Sequence, residues 1–208
     1  GIMLDKAIIE IDKVLKNLFH KPISKRLHPD EPIADCDMTD EERDHVIGLM
    51  RVNHSGEICA QGLYQGQALT ARDTSHKQAF EEAAFEEIEH LAWTEKRVHD
   101  LGGHTSILNP LFYMGSLAIG IGAGILGDKW NLGFLEETEK QVESHLSSHL
   151  EQLPEHDNKS RAIIEQMRID EINHAHMAHD AGAAELPVLI KSTMQLTSKV
   201  MTSLAYKV

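Results

Sequence analysis

Two short stretches of the chain, EEIEH at residues 86–90 and DEINH at residues 170–174, repeat one pattern in distant parts of the sequence. Each places a glutamate three residues ahead of a histidine, as Glu87 with His90 and Glu171 with His174. On an α-helix, residues at i and i+3 lie one turn apart on neighbouring positions of one face, so both side chains can reach one ion. The repeat therefore predicts two helices that each present a Glu–His pair to a metal site.

Two other matches to this spacing have simpler explanations. Glu42 and His45 lie in EERDH, and Glu42 follows Thr39 at the spacing of a capping box, in which both residues help to begin a helix. Asp73 and His76 fall at an expected turn and have no counterpart elsewhere in the chain. We therefore expect neither pair to bind metal.

The composition favours a single helical domain and disfavours binding to nucleic acid. The chain has 208 residues, of which 41% are hydrophobic and 5% aromatic, with 6 prolines, and such a chain can bury one sizeable core. The formal net charge of −13 disfavours nucleic acid as a partner. Residues 1–27 and 187–208 each carry a net charge of +3, which leaves −19 for the middle of the chain. The ends are therefore basic and the body is acidic.

The cysteines and the N-terminus predict an intracellular environment. Cys36 and Cys59 are the only cysteines, and their spacing fits neither a metal site nor a redox pair, so we expect free thiols in a reducing compartment. At the N-terminus, apolar residues alternate with charges, and no secretory signal is visible.

Hydrophobic periodicity predicts helices almost throughout, with no strand-like alternation. An amphipathic helix at 4–18 precedes a proline-containing linker at 21–37. The expected later segments are helices at 39–71 and 75–101, an uncharged segment at 110–127, helices at 131–153 and 157–184, and an amphipathic helix from Pro187 to the C-terminus. The predicted fold class is all-α.

Four of these helices have the length and order of a four-helix bundle. The Glu–His pairs fall on the helices at 75–101 and 157–184, while those at 39–71 and 131–153 offer one acid each, Glu57 and Glu139. The sequence separation between Glu57 and Glu87 is nearly equal to that between Glu139 and Glu171. This match indicates an internal duplication of a helix pair.

This arrangement gives four carboxylates and two imidazoles, the ligand set of di-iron and di-manganese bundle proteins. Four carboxylates in an apolar core are costly unless cations neutralise them, and hard oxygen ligands with imidazole favour iron or manganese. Glu86 also lies one turn from His90, but the shared acid–acid–x–x–His order favours Glu87 and Glu171 as ligands. Glu86 and Asp170 are then candidate outer partners of the ligands.

Three further residues lie near the predicted ligands in sequence. His54 precedes Glu57 by three residues, His145 follows Glu139 by six, and Tyr64 lies two turns beyond Glu57. Each is a candidate partner of the site or an acid or base near substrate. Exposed helix histidines and a core tyrosine are the alternatives.

Several segments resemble one known family, the flavin-independent demethoxyubiquinone hydroxylases, especially their bacterial form. The resemblance covers about residue 51 to the C-terminus. It is carried by RVNHSGEICAQGLYQGQ (51–67), EEIEHLAW (86–93), GSLAIGIGAGILGDKWNLGF (115–134), ETEKQVESHL (137–146), DEINHA (170–175) and LTSKVMTSLAYKV (196–208).

The resemblance implies a ferritin-like di-iron domain. The helix pattern places this domain at 38–208 and the N-terminal helix and linker at 1–37. It implies two iron ions per chain, with ligands Glu57, Glu87, His90, Glu139, Glu171 and His174. It also implies hydroxylation of a polyprenyl demethoxybenzoquinol with O₂ in ubiquinone biosynthesis, at the cytoplasmic side of the bacterial inner membrane, with other proteins of that pathway as further partners. On this basis we expect Glu87 and Glu171 to bridge the metals.

The uncharged stretch at 111–126 has two interpretations. It is shorter than the ~20 residues needed to span a bilayer. Its glycines suit either a buried helix packed through small residues or a surface that contacts lipid or the substrate's tail. The basic terminal helices are likewise expected either on an anionic membrane surface or as ordinary bundle helices.

Two other functions compete with the hydroxylase. One is another di-metal bundle, a peroxidase or an iron-oxidising or iron-storing protein, and the other is a metal-free helical scaffold at a membrane surface. The chain has no flavin fingerprint and no CxxC pair, so electrons for an oxygenase must come from outside or from the quinol itself.

Overall fold

A computed structural model describes all 208 residues. It contains seven helices and no strand, which confirms the all-α prediction. The helices are α1 (Ile2–Phe19), α2 (Asp40–Thr70), α3 (Thr74–Asp100), α4 (Asn109–Ile125), α5 (Asp128–Gln152), α6 (Asn158–Asp180) and α7 (Val188–Lys207). No helix is both long enough and apolar enough to cross a membrane.

Helices α2, α3, α5 and α6 form the four-helix bundle. Helix α2 packs along α3 and α5 packs along α6, and the two pairs meet over a shared core. The largest core cluster draws on all four helices, with Met50 from α2, Trp93 from α3, Leu146 from α5 and Met167 from α6 all buried. Burial of such side chains stabilises the bundle by roughly 1.5–3 kcal/mol each.

The ends of α2 and α3 account for the two rejected sequence matches. Thr39 Oγ1 accepts a hydrogen bond from Glu42 N at 3.1 Å, and Glu42 Oε1 accepts one from Thr39 N at 3.1 Å, which confirms the capping box. Asp73 caps α3 by accepting from Ser75 N at 2.8 Å. The ring of His76 lies 3.2 Å from Asp128 at the start of α5. These residues stabilise helix ends.

Helix α4 lies against α2 with almost no side chain between the two backbones. Gly62 and Gly66 on α2 face the α4 backbone, and Gly120 on α4 faces the carbonyl of Leu63 so closely that a Cβ atom has no room. Close approach of helices through small residues requires glycine at these positions. Gly115, in contrast, faces open space. One face of α4 is therefore packed, and the other is free.

Helix α1 has no fully buried residue and is attached to the bundle by polar contacts and by two partly buried side chains, Val14 and Leu18, which pack against a small core cluster. Asn17 Nδ2 donates to the hydroxyl of Tyr113 at 2.9 Å, and Gln65 Nε2 donates to Glu10 Oε2 at 2.7 Å. Other apolar residues of α1, including Ile8 and Leu15, are exposed. The following linker crosses the outside of α3 and α6.

Candidate metal centre

The structure brings the six predicted ligand residues together inside the bundle. Helix α2 supplies Glu57, α3 supplies Glu87 and His90, α5 supplies Glu139, and α6 supplies Glu171 and His174. All six side chains are buried, with at most 8% of each residue exposed. They form two four-residue groups, and within each group the potential ligand atoms lie within 4.8 Å of one another.

The two groups share two carboxylates. The first group contains Glu57 and His90, the second contains Glu139 and His174, and Glu87 and Glu171 belong to both. A carboxylate has two oxygens and can therefore reach two ions at once. Glu87 and Glu171 thus occupy the positions expected of bridging ligands, and each group adds one histidine and one further glutamate.

Both histidines direct the same ring nitrogen toward the centre. His90 Nδ1 lies 3.0 Å from Glu87 Oε2 and 3.5 Å from Glu57 Oε1. His174 Nδ1 lies 3.4 Å from Glu87 Oε1 and 3.9 Å from Glu139 Oε2. The Nδ1 atoms are thus available as metal ligands, and each Nε2 points away from the four glutamates of the cluster.

The Nε2 atoms meet the acids that directly precede the shared glutamates. His90 Nε2 lies 2.7 Å from Asp170 Oδ2, and His174 Nε2 is hydrogen-bonded to Glu86. Each acid therefore contacts the histidine of the opposite motif. An acceptor at Nε2 fixes the proton there and leaves Nδ1 free to bind metal.

Without a cation, protons must offset the charge of this cluster. Burial and the nearby charge of Glu87 hold the pKa of Glu57 well above its ordinary value, and burial raises the pKa of Glu139 to about 8. Burial opposes charge on His90, but the carboxylates of Glu87 and Glu57 hold the pKa of its ring well above the usual range. Cations would replace these protons.

The donor set fits such cations. Nine buried side-chain atoms in the chain lack a hydrogen-bond partner, and five of them belong to the cluster: Glu57 Oε2, Glu87 Oε1, Glu139 Oε2, Glu171 Oε1 and His174 Nδ1. Buried polar atoms are normally paired, and unpaired ones concentrated at a single place fit a cation as their partner. Carboxylate oxygens with two imidazoles suit iron or manganese.

The three other sequence candidates lie in different surroundings. The hydroxyl of Tyr64 donates to Glu139 Oε1, so Tyr64 contacts the cluster. His145 is partly buried and lines a cavity next to it. His54 faces away, with Nδ1 3.3 Å from the amide nitrogen of Asn109, and burial lowers the pKa of its ring to about 4.

An apolar cavity of about 370 Å³ reaches the cluster at Glu57. It lies between α2, α4, α5 and α7, and Ile119 and Ile190 at its outer end are partly exposed, so it opens between α4 and α7. Its volume is in the range of small-molecule sites. The contribution of α7 was not predicted from the sequence, because an amphipathic terminal helix carries no signal of what its apolar face covers.

A four-helix bundle in which two helices each supply a glutamate and two each supply a Glu–x–x–His pair defines the class of dinuclear carboxylate proteins. The model of the family described as "Ubiquinone biosynthesis protein COQ7" matches residues 40–205, and the chain belongs to this family. The resemblance noted from the motifs is thereby confirmed.

Curated relatives match along nearly the whole chain. Proteins of Chromobacterium violaceum and Laribacter hongkongensis are 61% and 59% identical over 206 residues, which is 99% of this chain and all of each relative. A protein of Azoarcus sp. (strain BH72) is 56% identical with the same coverage. All three are named 3-demethoxyubiquinol 3-hydroxylase.

Proposed function

We propose that this chain hydroxylates the ring of a polyprenyl demethoxyubiquinol with O₂, as a monooxygenase of ubiquinone biosynthesis. One observation carries the proposal: an apolar cavity large enough for a ring reaches Glu57, a member of one of the two ligand groups that share Glu87 and Glu171. The names of the relatives over the full chain support the reaction and its substrate. No feature of the structure favours a peroxidase, a storage protein or a metal-free scaffold.

In this proposal two iron ions bind between the helices. Glu57 and Glu139 would each hold one ion, His90 and His174 would each add a nitrogen ligand, and Glu87 and Glu171 would bridge. The ions would supply the activation of O₂. One oxygen atom enters a ring C–H bond and the other leaves as water, so two electrons and two protons are required from an outside donor or from the quinol.

The chain's own residues would bind the substrate and exclude water. Most of the cavity wall is apolar, which favours an isoprenoid quinol and keeps water from the inner end. Polar side chains line the cavity on several helices, among them Thr138, Gln141 and His145 on α5 and Thr193 and Ser198 on α7. Their side chains can hydrogen-bond the ring oxygens and so orient one ring carbon toward Glu57.

Filling the cavity tests this function. Ser198 on α7 is partly buried and lines the cavity, so a Ser198→Trp protein should lose roughly tenfold or more in kcat/KM for a demethoxyubiquinol supplied in lipid vesicles, with an unchanged metal content. Ser192→Trp is the matched control, because Ser192 is exposed on the same helix and does not line the cavity. Full activity of Ser198→Trp, or equal losses in both variants, would place the substrate elsewhere.

We further propose that the chain acts as a peripheral protein on the cytoplasmic side of the inner membrane. Support comes from exposed apolar residues on two helices that line the cavity, Met114 and Ile125 on α4 and Leu196 and Val200 on α7, together with the net charge of +3 at each end of the chain. In the same vesicles, made with anionic lipid, the protein should float in a density gradient. Protein that stays at the bottom would contradict this placement.

A further inference from the structure

A short part of the linker, residues 24–26 (the strap), lies across α3. Ser24 Oγ donates to Glu89 Oε2 at 2.8 Å. Arg26 donates to the same carboxylate twice, from N at 2.8 Å and from Nε at 3.0 Å. Trp93 Nε1 donates to Ser24 Oγ at 3.0 Å. The strap is therefore fixed to α3 by several directed hydrogen bonds.

The guanidinium of Arg26 also reaches α6. Its Nη2 and Nη1 donate to the two oxygens of Asp170 at 2.6 and 3.3 Å, and Asp170 Oδ2 lies 2.7 Å from His90 Nε2. The guanidinium carbon of Arg26 lies 4.9 Å from the centroid of the Trp93 ring, which in turn packs against His90. A planar guanidinium that holds a carboxylate through two N–H groups fixes its orientation as well as its charge.

The opposite half of the centre has no such support. Glu86 plays the part of Asp170 toward His174, but its side chain is 50% exposed, against 12% for Asp170. Asp170 accepts hydrogen bonds from Arg26 and Gln166 as well as from His90, whereas Glu86 contacts His174 alone. The two halves repeat each other in their ligands and differ in what holds the histidine in place.

We propose that Arg26 is a positioning residue that fixes His90 through Asp170, so that the metal position of Glu57 and His90 holds its ion longer than the position of Glu139 and His174. The inference rests on the proposed dinuclear centre. Partners of a ligating histidine tune metal affinity by about 10–100-fold. Asp170 is held on both carboxylate oxygens and keeps its orientation toward His90. The half-exposed carboxylate of Glu86 can exchange its hydrogen bond to His174 for one to water.

Release of iron to a chelator measures this difference directly. The full chain, loaded anaerobically with ferrous iron, is mixed with an excess of a coloured ferrous chelator. We expect a fast and a slow phase of equal amplitude. Arg26→Ala should accelerate the slow phase on the order of tenfold and leave the fast phase unchanged. In Arg26→Lys, the rate of the slow phase should lie between those of the unaltered chain and Arg26→Ala, because an ammonium keeps the charge but cannot contact both carboxylate oxygens as a guanidinium does.

Arg168→Ala is the matched control. Arg168 lies on the same helix as Asp170 and pairs with two carboxylates, those of Glu165 and Glu143, without contact to either histidine. It should leave both phases unchanged. If Arg168→Ala accelerates release as much as Arg26→Ala, the effect is general loosening of α6 and the inference is overturned.

The remaining outcomes separate this inference from the proposed function. A chain that binds no iron contradicts the metal centre itself. A chain that binds iron and releases it in one phase, or in two phases that Arg26→Ala leaves unchanged, keeps the metal centre and overturns the role of Arg26.

Discussion

Replacing Glu171 with alanine is expected to abolish hydroxylation and to remove metal from both positions of the centre. Glu171 belongs to both ligand groups, so its loss takes one oxygen ligand from each ion at once. The remaining carboxylates stay buried, and without their cations they must take up protons or leave the core. The loss should therefore exceed that caused by removing a ligand that serves one ion.

The measurement is the metal content of the purified variant together with its turnover of the quinol. Glu42→Ala is the matched control, since Glu42 also stands three residues ahead of a histidine but serves as a helix cap. Its replacement should cost roughly 1 kcal/mol of stability and leave metal and turnover intact. Metal lost from Glu42→Ala and retained in Glu171→Ala would show that the wrong pair was assigned.

The second large effect is expected at Gly120, where α4 meets α2. A methyl group at this position would run into the carbonyl of Leu63, and backbone atoms cannot move aside as a flexible side chain can. Gly120→Ala should therefore lower the free energy of unfolding by about 2 to 3 kcal/mol. Urea denaturation followed by circular dichroism measures this change.

Gly115→Ala provides the comparison on the same helix. No atom lies within 4 Å of the position of its added Cβ, so only helix propensity changes, and stability should rise by about 0.5 to 1 kcal/mol. Equal destabilisation by the two substitutions would mean that α4 does not pack on α2 as described.

Much of the fold follows from local signals in the sequence. The capping box at Thr39 and the double Glu–x–x–His pattern act within one or two helical turns, so sequence spacing alone is informative there. The same reasoning groups Glu57 and Glu139 with the two motifs, because duplicated helix pairs present equivalent positions to a common core. The structure brings these residues together, and their role as ligands stays a prediction.

Other features depend on packing between distant segments. The sequence did not indicate which glycines of the apolar segment face α2, and the structure divides them, with Gly120 packed and Gly115 free. Arg26 stands in a proline-containing linker with no periodic pattern, and its contact with Asp170 joins residues far apart in the chain. His54 is close to Glu57 in sequence, yet its ring hydrogen-bonds Asn109 at the start of α4. No local rule predicts such contacts.

Four glutamates and two histidines are proposed to hold two metal ions, so metal stoichiometry is the decisive measurement. The full chain is reconstituted anaerobically with ferrous iron, freed of excess metal, and analysed for iron per chain by elemental analysis. We expect two iron ions per chain, and none in a Glu87→Ala, Glu171→Ala double variant. Wild-type protein that retains no iron, or that retains as much as the double variant, would contradict the proposed centre.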